Sequence, residues 1–182
     1  SINRKKVKRI KTEIIIPEKI RDLKIKQIER SGFADIDNVI RIELPEGIEE
    51  IQEEAFSHCR ALEEIRIPDS VKAIGREAFS WCTRLKSIKL PNRLEKIEDW
   101  TFNQCESLEE IQIPDSVKVI GEWAFGHCKQ LKSIKLPNGL KSIPKWAFVH
   151  CDSLEEIQIP DSVITIYFGA FEGSKSLREI DI

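Results

Sequence analysis

The sequence predicts an α/β repeat solenoid, and two features of it carry that prediction: a fixed spacing and an ordinary composition. Pro45, Pro68, Pro91, Pro114, Pro137 and Pro160 recur at intervals of 23. Phe33, Phe56, Phe79, Phe102, Phe125, Phe148 and Phe171 keep the same interval, as do Cys59, Cys82, Cys105, Cys128 and Cys151, with Ser174 in the next slot. Self-similarity at a fixed period of this size is the signature of stacked repeats. The 182 residues are 41% hydrophobic and 33% charged, the balance of a folded chain rather than a disordered one. Seven units are visible, from near Asp22 to Ile182.

One unit reads LEEIRIPDSVKAIGREAFSWCTR, Leu62 to Arg84. Ile65, Arg66 and Ile67 alternate apolar and polar, the period of a short strand with one buried face. Pro68 ends it, because proline has no N–H for a ladder. Val71 and Ile74 follow at a spacing of three and point inward from a turn or a second short strand. Ala78, Phe79 and Cys82 fit a brief helical or 3₁₀ turn that leads to the next strand.

A unit this small cannot bury its own apolar face, whereas stacked units share one continuous core. The column Ile28, Ile51, Ile74, Ile97, Ile120, Ile143 and Ile166 is aliphatic throughout, as a core column requires. The slot after it runs through Gly75, Glu98, Gly121, Pro144 and Tyr167. A slot that accepts Pro144 has φ near −65°, so its glycines answer to space rather than to a left-handed turn.

A longer period overlies the first. LEEI occurs at 62–65, 108–111 and 154–157, and LKSI at 85–88 and 131–134, which suggests duplication in units of 46. Parallel strands lie about 4.8 Å apart, so Glu63, Lys86, Glu109, Lys132, Glu155 and Arg178 form a ladder of alternating sign. Stacked like charges would destabilise the sheet, and the alternation avoids them.

The stretch IPDSVKVIGEWAFGHCKQLKSI, 113–134, and its sister copies resemble the BspA-like type of leucine-rich repeat, seen in surface proteins of bacteria and some protists. The resemblance covers residues 14–182, and IIIPEKIRDLKIKQIERSGF, 14–33, is similar to that family's first unit, with five extra residues after Pro17. It implies a right-handed, curved stack with a parallel sheet on its concave side. It also implies a recognition or adhesion role at a cell surface or in the extracellular space. The expected organisation is a basic segment with a capping strand at 1–21 and the repeats at 22–182. A last strand that stops at Ile182 leads us to expect continuation beyond it, or end-to-end self-association there.

Charge and chemistry narrow the function. Residues 1–30 hold eleven Lys/Arg against four Asp/Glu, and the rest hold eighteen against twenty-seven, for a net −2. The cluster Arg4, Lys5, Lys6, Lys8, Arg9 and Lys11 lacks aromatic residues to stack on bases, so it reads as a solvated end and not as a nucleic-acid site. The longest aliphatic run is Ile14–Ile16, too short to enter a membrane. No phosphate loop, zinc-protease helix or nucleophile with its base is present, so no catalysis is expected. His58, His127 and His150 share one column and each precedes a cysteine, but a 23-residue ladder differs from a zinc motif, and neither metal nor cofactor is expected. The cysteines read as five buried, reduced thiols.

Two candidate binding surfaces remain. Trp100, Trp123 and Trp146 occupy consecutive slots where earlier units have Glu54 and Glu77, and an exposed indole row suits a partner's apolar surface or a polysaccharide. Mutual packing of the three is the competing expectation. The concave face presents Glu64, Ser87, Glu110, Ser133 and Glu156 in one column and Arg66, Lys89, Gln112, Lys135 and Gln158 in the next. Solenoids use such faces for extended partners. The expected role is thus a recognition or adhesion module for a protein or matrix partner, with a structural spacer and sugar capture as alternatives.

Overall fold

Each 23-residue unit closes one coil of a parallel β-solenoid, and all core positions lie inside the coil. The computed structural model describes residues 12–181, and the side chains of residues 12–178; the basic cluster Arg4–Lys11 lies outside this range. One face is a parallel sheet. Thr12–Ile15, Val39–Glu43 and Glu64–Arg66 form its first part. Ser87–Lys89, Glu110–Gln112, Ser133–Lys135, Glu156–Gln158 and Glu179–Asp181 form the rest. Pairing sets Ile88 beside Ile111 and Ile134 beside Ile157, one repeat apart, so identical slots meet where strands pair.

The expected second short strand exists in every coil, as Gln27–Ile28, Glu50–Ile51, Ala73–Ile74, Lys96–Ile97, Val119–Ile120, Ser142–Ile143 and Thr165–Ile166. In the first five the isoleucine is buried and its predecessor exposed, which is the alternation the sequence shows. The glycine slot is indeed about space. A Cβ on Gly75 would stand 2.5 Å from the Glu53 nitrogen and one on Gly121 2.4 Å from the Asp99 nitrogen, and neither glycine has positive φ.

The third segment corrects the sequence reading: the described residues contain no helix, and the turn after the second strand is neither helical nor 3₁₀. It is a run of tight turns with two left-handed residues per coil. Glu54, Glu77, Trp100, Trp123 and Trp146 occupy the first slot and His58, Trp81, Gln104, His127 and His150 the second, all with φ between 53° and 61°. Left-handed residues reverse the carbonyl direction that a helix needs. Alternate amides are thereby freed to bond the next coil. Glu54 donates to Arg76 O at 2.9 Å, Phe56 to Ala78 O at 2.9 Å and His58 to Ser80 O at 2.8 Å, and the pattern recurs coil by coil. A left-handed residue costs roughly 1–2 kcal/mol, and the intercoil bond offsets that cost.

The 46-residue period is also structural. Ser87–Lys89 does not join the strand Glu64–Arg66, and Glu110–Gln112 meets Ser133–Lys135 only through Gln112 and Lys135. The second ribbon breaks at the same two junctions, after Ile74 and after Ile120. Gln52, Gly75, Gly121 and Tyr167 donate to the preceding Ile28, Ile51, Ile97 and Ile143 carbonyls, but Pro144 has no N–H to give Ile120. At the other junction Glu98 does not make the equivalent bond, and its sequence offers no reason.

The phenylalanine column forms a continuous stack from Phe33 to Phe171, with ring centroids 5.3–5.7 Å apart. Phe56, Phe79, Phe102, Phe125 and Phe148 are fully buried. Phe102→Ala is expected to cost about 3–5 kcal/mol in denaturant unfolding, and Phe33→Ala less because its ring is only partly buried. Equal losses for the two would contradict a core centred on the inner coils.

Candidate functional site

The sheet face is built by the outward residues of the strands whose isoleucines fill the core. Glu64, Arg66, Lys89, Glu110, Gln112, Lys135, Glu156 and Gln158 are all exposed there, each flanking a buried isoleucine. Pairing places Glu110 beside Ser87 and Gln112 beside Lys89, then Ser133 beside Glu156 and Lys135 beside Gln158. The result is a checkerboard of charged and neutral residues from Ser87 to Gln158, beyond which the register sets Glu156 beside Glu179. At one end Arg66 bonds Glu43 at 3.0 Å and Arg41 lies 3.7 Å from Glu64. Further along, Lys89, Lys135, Glu110 and Glu156 make no ion pair or side-chain hydrogen bond among the described residues. Hollows open along the proline edge of this face. One of about 310 Å³ is lined by Arg66, Asp69 and Lys89, and one of about 630 Å³ by Lys89, Asn92, Gln112, Asp115 and Lys135.

The indoles pack on one another. Trp100 and Trp123 stack with centroids 4.7 Å apart, Trp146 follows at 5.4 Å, and Phe168 meets Trp146 edge-on at 5.7 Å. All three tryptophans are half-buried. His127 lies 6.1 Å from Trp123 and 5.0 Å from His150, so histidines and indoles form one aromatic strip along the turns. Partial burial, then His150 and Lys129, hold the His127 imidazole below its usual value of 6.5.

Cysteine and histidine part company within each pair, which removes the His-Cys ligand set. Each thiol points inward and donates to the carbonyl of a phenylalanine in the coil before it. Cys59 bonds Phe33 O at 2.9 Å, Cys82, Cys105 and Cys151 bond Phe56, Phe79 and Phe125 O at 3.2 Å, and Cys128 bonds Phe102 O at 3.3 Å. Ser174 repeats the bond to Phe148 O at 2.8 Å, which explains why serine substitutes in this column. All five thiols are unpaired, and burial pushes Cys59 up to about 11 and Cys151 up to about 12. Among the described residues no three His, Cys, Asp or Glu converge on a metal position, and no helix is long and apolar enough to cross a membrane.

Charge ladders hold the coils from outside. In the ladder read from the sequence, Lys86 lies 3.9 Å from Glu63 and Lys132 4.0 Å from Glu109, and Glu63 meets Arg84 more closely, at 3.0 Å. A tighter ladder went unread in the sequence: Glu49 takes Lys26 at 2.6 Å and Lys72 at 2.9 Å. Those hydrogen bonds, more than the charges themselves, lower the Glu49 carboxyl from 4.5 to about 2.

This geometry, coil for coil, is that of a known repeat. The BspA type leucine rich repeat region, in six copies, matches residues 8–132 and 99–182. The chain belongs to that family. A leucine-rich repeat protein of T. pallidum superposes with a TM-score of 0.89 at 31% identity, over 93% of this chain and 79% of the other. One from Eubacterium ventriosum gives 0.81 at 30%, over 90% of this chain but 43% of its own length. One from Bacteroides ovatus gives 0.53 at 25%, over 97% of this chain and 64% of its own. No curated protein matches.

Two measurements test the chemistry of this BspA-type coil. Thiol titration is expected to find five reactive cysteines in denaturant and almost none in the native protein; a total of one or three would reveal disulfides. For Glu49, the folded value lies below the unfolded one, so its stabilisation is present above about 4.5 and is lost as pH falls toward about 2. Glu49→Gln should therefore be less stable than the wild type at neutral pH, and the difference should vanish near the lower end of that window. A difference independent of pH would sink this assignment.

Proposed function

We propose that this BspA-type solenoid is a non-catalytic recognition and adhesion module that holds a protein partner against its sheet face at a cell surface. The observation that carries the reading is the set of unpaired charges on that face. Lys89, Lys135, Glu110 and Glu156 stand exposed with no ion pair among the described residues, whereas Glu49, Lys26 and Lys72 beside the other ribbon satisfy one another. Solvated charges without partners cost nothing to expose, and they give an incoming surface both register and selectivity. Their spacing of one strand, about 4.8 Å, suits an extended segment laid along the stack. The surface location rests on the family resemblance, since BspA-like repeats are found in surface proteins.

The tryptophan row gives less support to sugar capture. A sugar ring stacks on an indole face, and these faces are turned toward one another at 4.7 and 5.4 Å. The row serves packing first and binding only through its edges.

Binding to a panel of immobilised extracellular-matrix proteins distinguishes the readings. Lys89→Glu with Lys135→Glu should weaken saturable binding about tenfold or more, equivalent to about 1.4 kcal/mol, and the wild-type affinity should fall with salt. Trp123→Ala should leave it unchanged. Loss of binding in Trp123→Ala alone, with the double lysine variant intact, would move the site to the aromatic strip. Absence of saturable binding to every protein on the panel would favour a spacer.

A further inference from the structure

Charge on the sheet face and its proline edge is banded by coil. KSIKLPNR, 86–93, holds three Lys/Arg and no acid, and EEIQIPDS, 109–116 in the next coil, holds three Asp/Glu and no base. KSIKLPNG, 132–139, then holds two lysines and no acid, and EEIQIPDS, 155–162, again three acids and no base. All of these charged side chains are exposed. Repulsion between like charges in register accounts for alternation within one column. It does not require neighbouring columns to be in phase. The coil before them has the other arrangement, with Glu64, Arg66 and Asp69 mixing signs side by side. Two lysines touch the bands: Lys132 lies 4.0 Å from Glu109, and Lys118 meets the Asp115 backbone carbonyl at 3.2 Å. The alternation ends where the register sets Glu179 beside Glu156.

A trough runs beside the bands. The hollow lined by Asp69 and Lys89 abuts the one lined by Lys89, Asp115 and Lys135, and a third, lined by Lys135, Asn138 and Asp161, continues it. Shared walls at Lys89 and Lys135 join the three over about 19 Å, at about 4.8 Å per coil. Bands of one sign recur every second coil, about 9.6 Å apart. A polyproline II segment has three residues per turn, so every third side chain returns to the same side after roughly 9.3 Å. A β-strand puts every third residue on the opposite face, and an α-helix needs seven residues and about 10.5 Å. The polyproline II backbone makes no internal hydrogen bonds, so its carbonyls are open to the exposed donors between the charges, Ser87, Gln112, Ser133 and Gln158.

We infer that the partner of the sheet face is a proline-rich segment in the polyproline II conformation that carries one base and one acid in every triplet. This rests on the reading that the sheet face is the binding surface, and it names the class of partner. Bases of the segment meet Glu110, Asp115, Glu156 and Asp161, its acids meet Lys89 and Lys135, and the third residue of each triplet faces solvent. Base and acid of a triplet lie about 3.1 or 6.2 Å apart along the axis, and the flexible lysine stems take up the difference from 4.8 Å.

Fluorescence anisotropy tests this with a labelled peptide of about 18 residues built from Pro-Lys-Glu triplets. Its control is a scramble of the same composition in which neither charge recurs every third residue. The repeat peptide should bind saturably, about tenfold tighter than the scramble or more, and less tightly as salt rises. Lys89→Glu with Lys135→Glu should weaken it by a similar factor. Glu110→Ser, Asp115→Asn, Glu156→Ser and Asp161→Asn together introduce the residues those slots already carry at Ser87, Asn92, Ser133 and Asn138. That variant should bind the two peptides equally. Circular dichroism matching the wild type shows that it is folded; should it fail, Asp115→Asn with Asp161→Asn alone repeats the test. Equal affinity of the wild type for repeat and scramble overturns the inference, as does a variant that keeps the full preference. If the repeat peptide fails to bind while a matrix protein still binds through Lys89 and Lys135, the polyproline II partner falls and the sheet-face reading stands. If neither binds, both fall.

Discussion

Everything in this molecule depends on the amide groups that bond from one coil to the next. A 23-residue coil has too little interior to fold by itself, so its backbone polar groups need partners above and below. In the sheet and the second ribbon, parallel pairing supplies them. In the turns, two left-handed residues per coil aim alternate N–H groups at the neighbouring coil, as at Glu54, Phe56 and His58. The coil is therefore tied to its neighbour through the turns as well as the strands, and the turns continue across the two junctions where strand pairing is interrupted.

Identical slots then meet their own kind, and each residue type has to suit that company. Phenylalanine stacks on phenylalanine. Cysteine is small enough to fill its column and carries a hydrogen that reaches the Phe carbonyl of the preceding coil, which valine or alanine would lack. Tryptophan and histidine, both at left-handed positions, cover one another along the turns. Like charges stacked in register repel, and lysine and glutamate alternate at Lys26, Glu49 and Lys72, and at Glu63 and Lys86, although Lys118 and Lys141 are successive lysines. Alternation needs two coils for one cycle. The looser junctions after Ile74 and after Ile120 recur at the same interval, so the double coil is a unit of packing as well as of sequence.

Columns that deviate are those the stack constrains least. Core columns stay apolar but are not all uniform: phenylalanine is invariant from Phe33 to Phe171, whereas Val71, Leu94, Val117 and Leu140 alternate within one buried column. On the sheet face, Lys89 and Lys135 alternate with Gln112 and Gln158, which keeps the lysines apart, and neither lysine makes an ion pair among the described residues. At the last coil, Ile164 and Phe168 break columns that are otherwise charged throughout. Both deviations are readable by aligning the chain with itself.

The amino-acid sequence by itself determined the period, the strand positions, the core columns, the space requirement at Gly75 and Gly121, and the doubled period. It could do so because hydrophobic alternation and proline act locally and recur in seven copies. Tertiary structure decided the turn. Ala78, Phe79 and Cys82 have a helical spacing, but the bonds that hold them run between coils, and no spacing within one unit reveals a partner 22 residues away. It also decided where aromatic rings point, since Trp123 is outward by sequence and half-covered in the stack by Trp100, Trp146 and His127. The physical reason is the same in both cases: a repeat shows what recurs along the chain, and the stack alone shows what each recurrence touches.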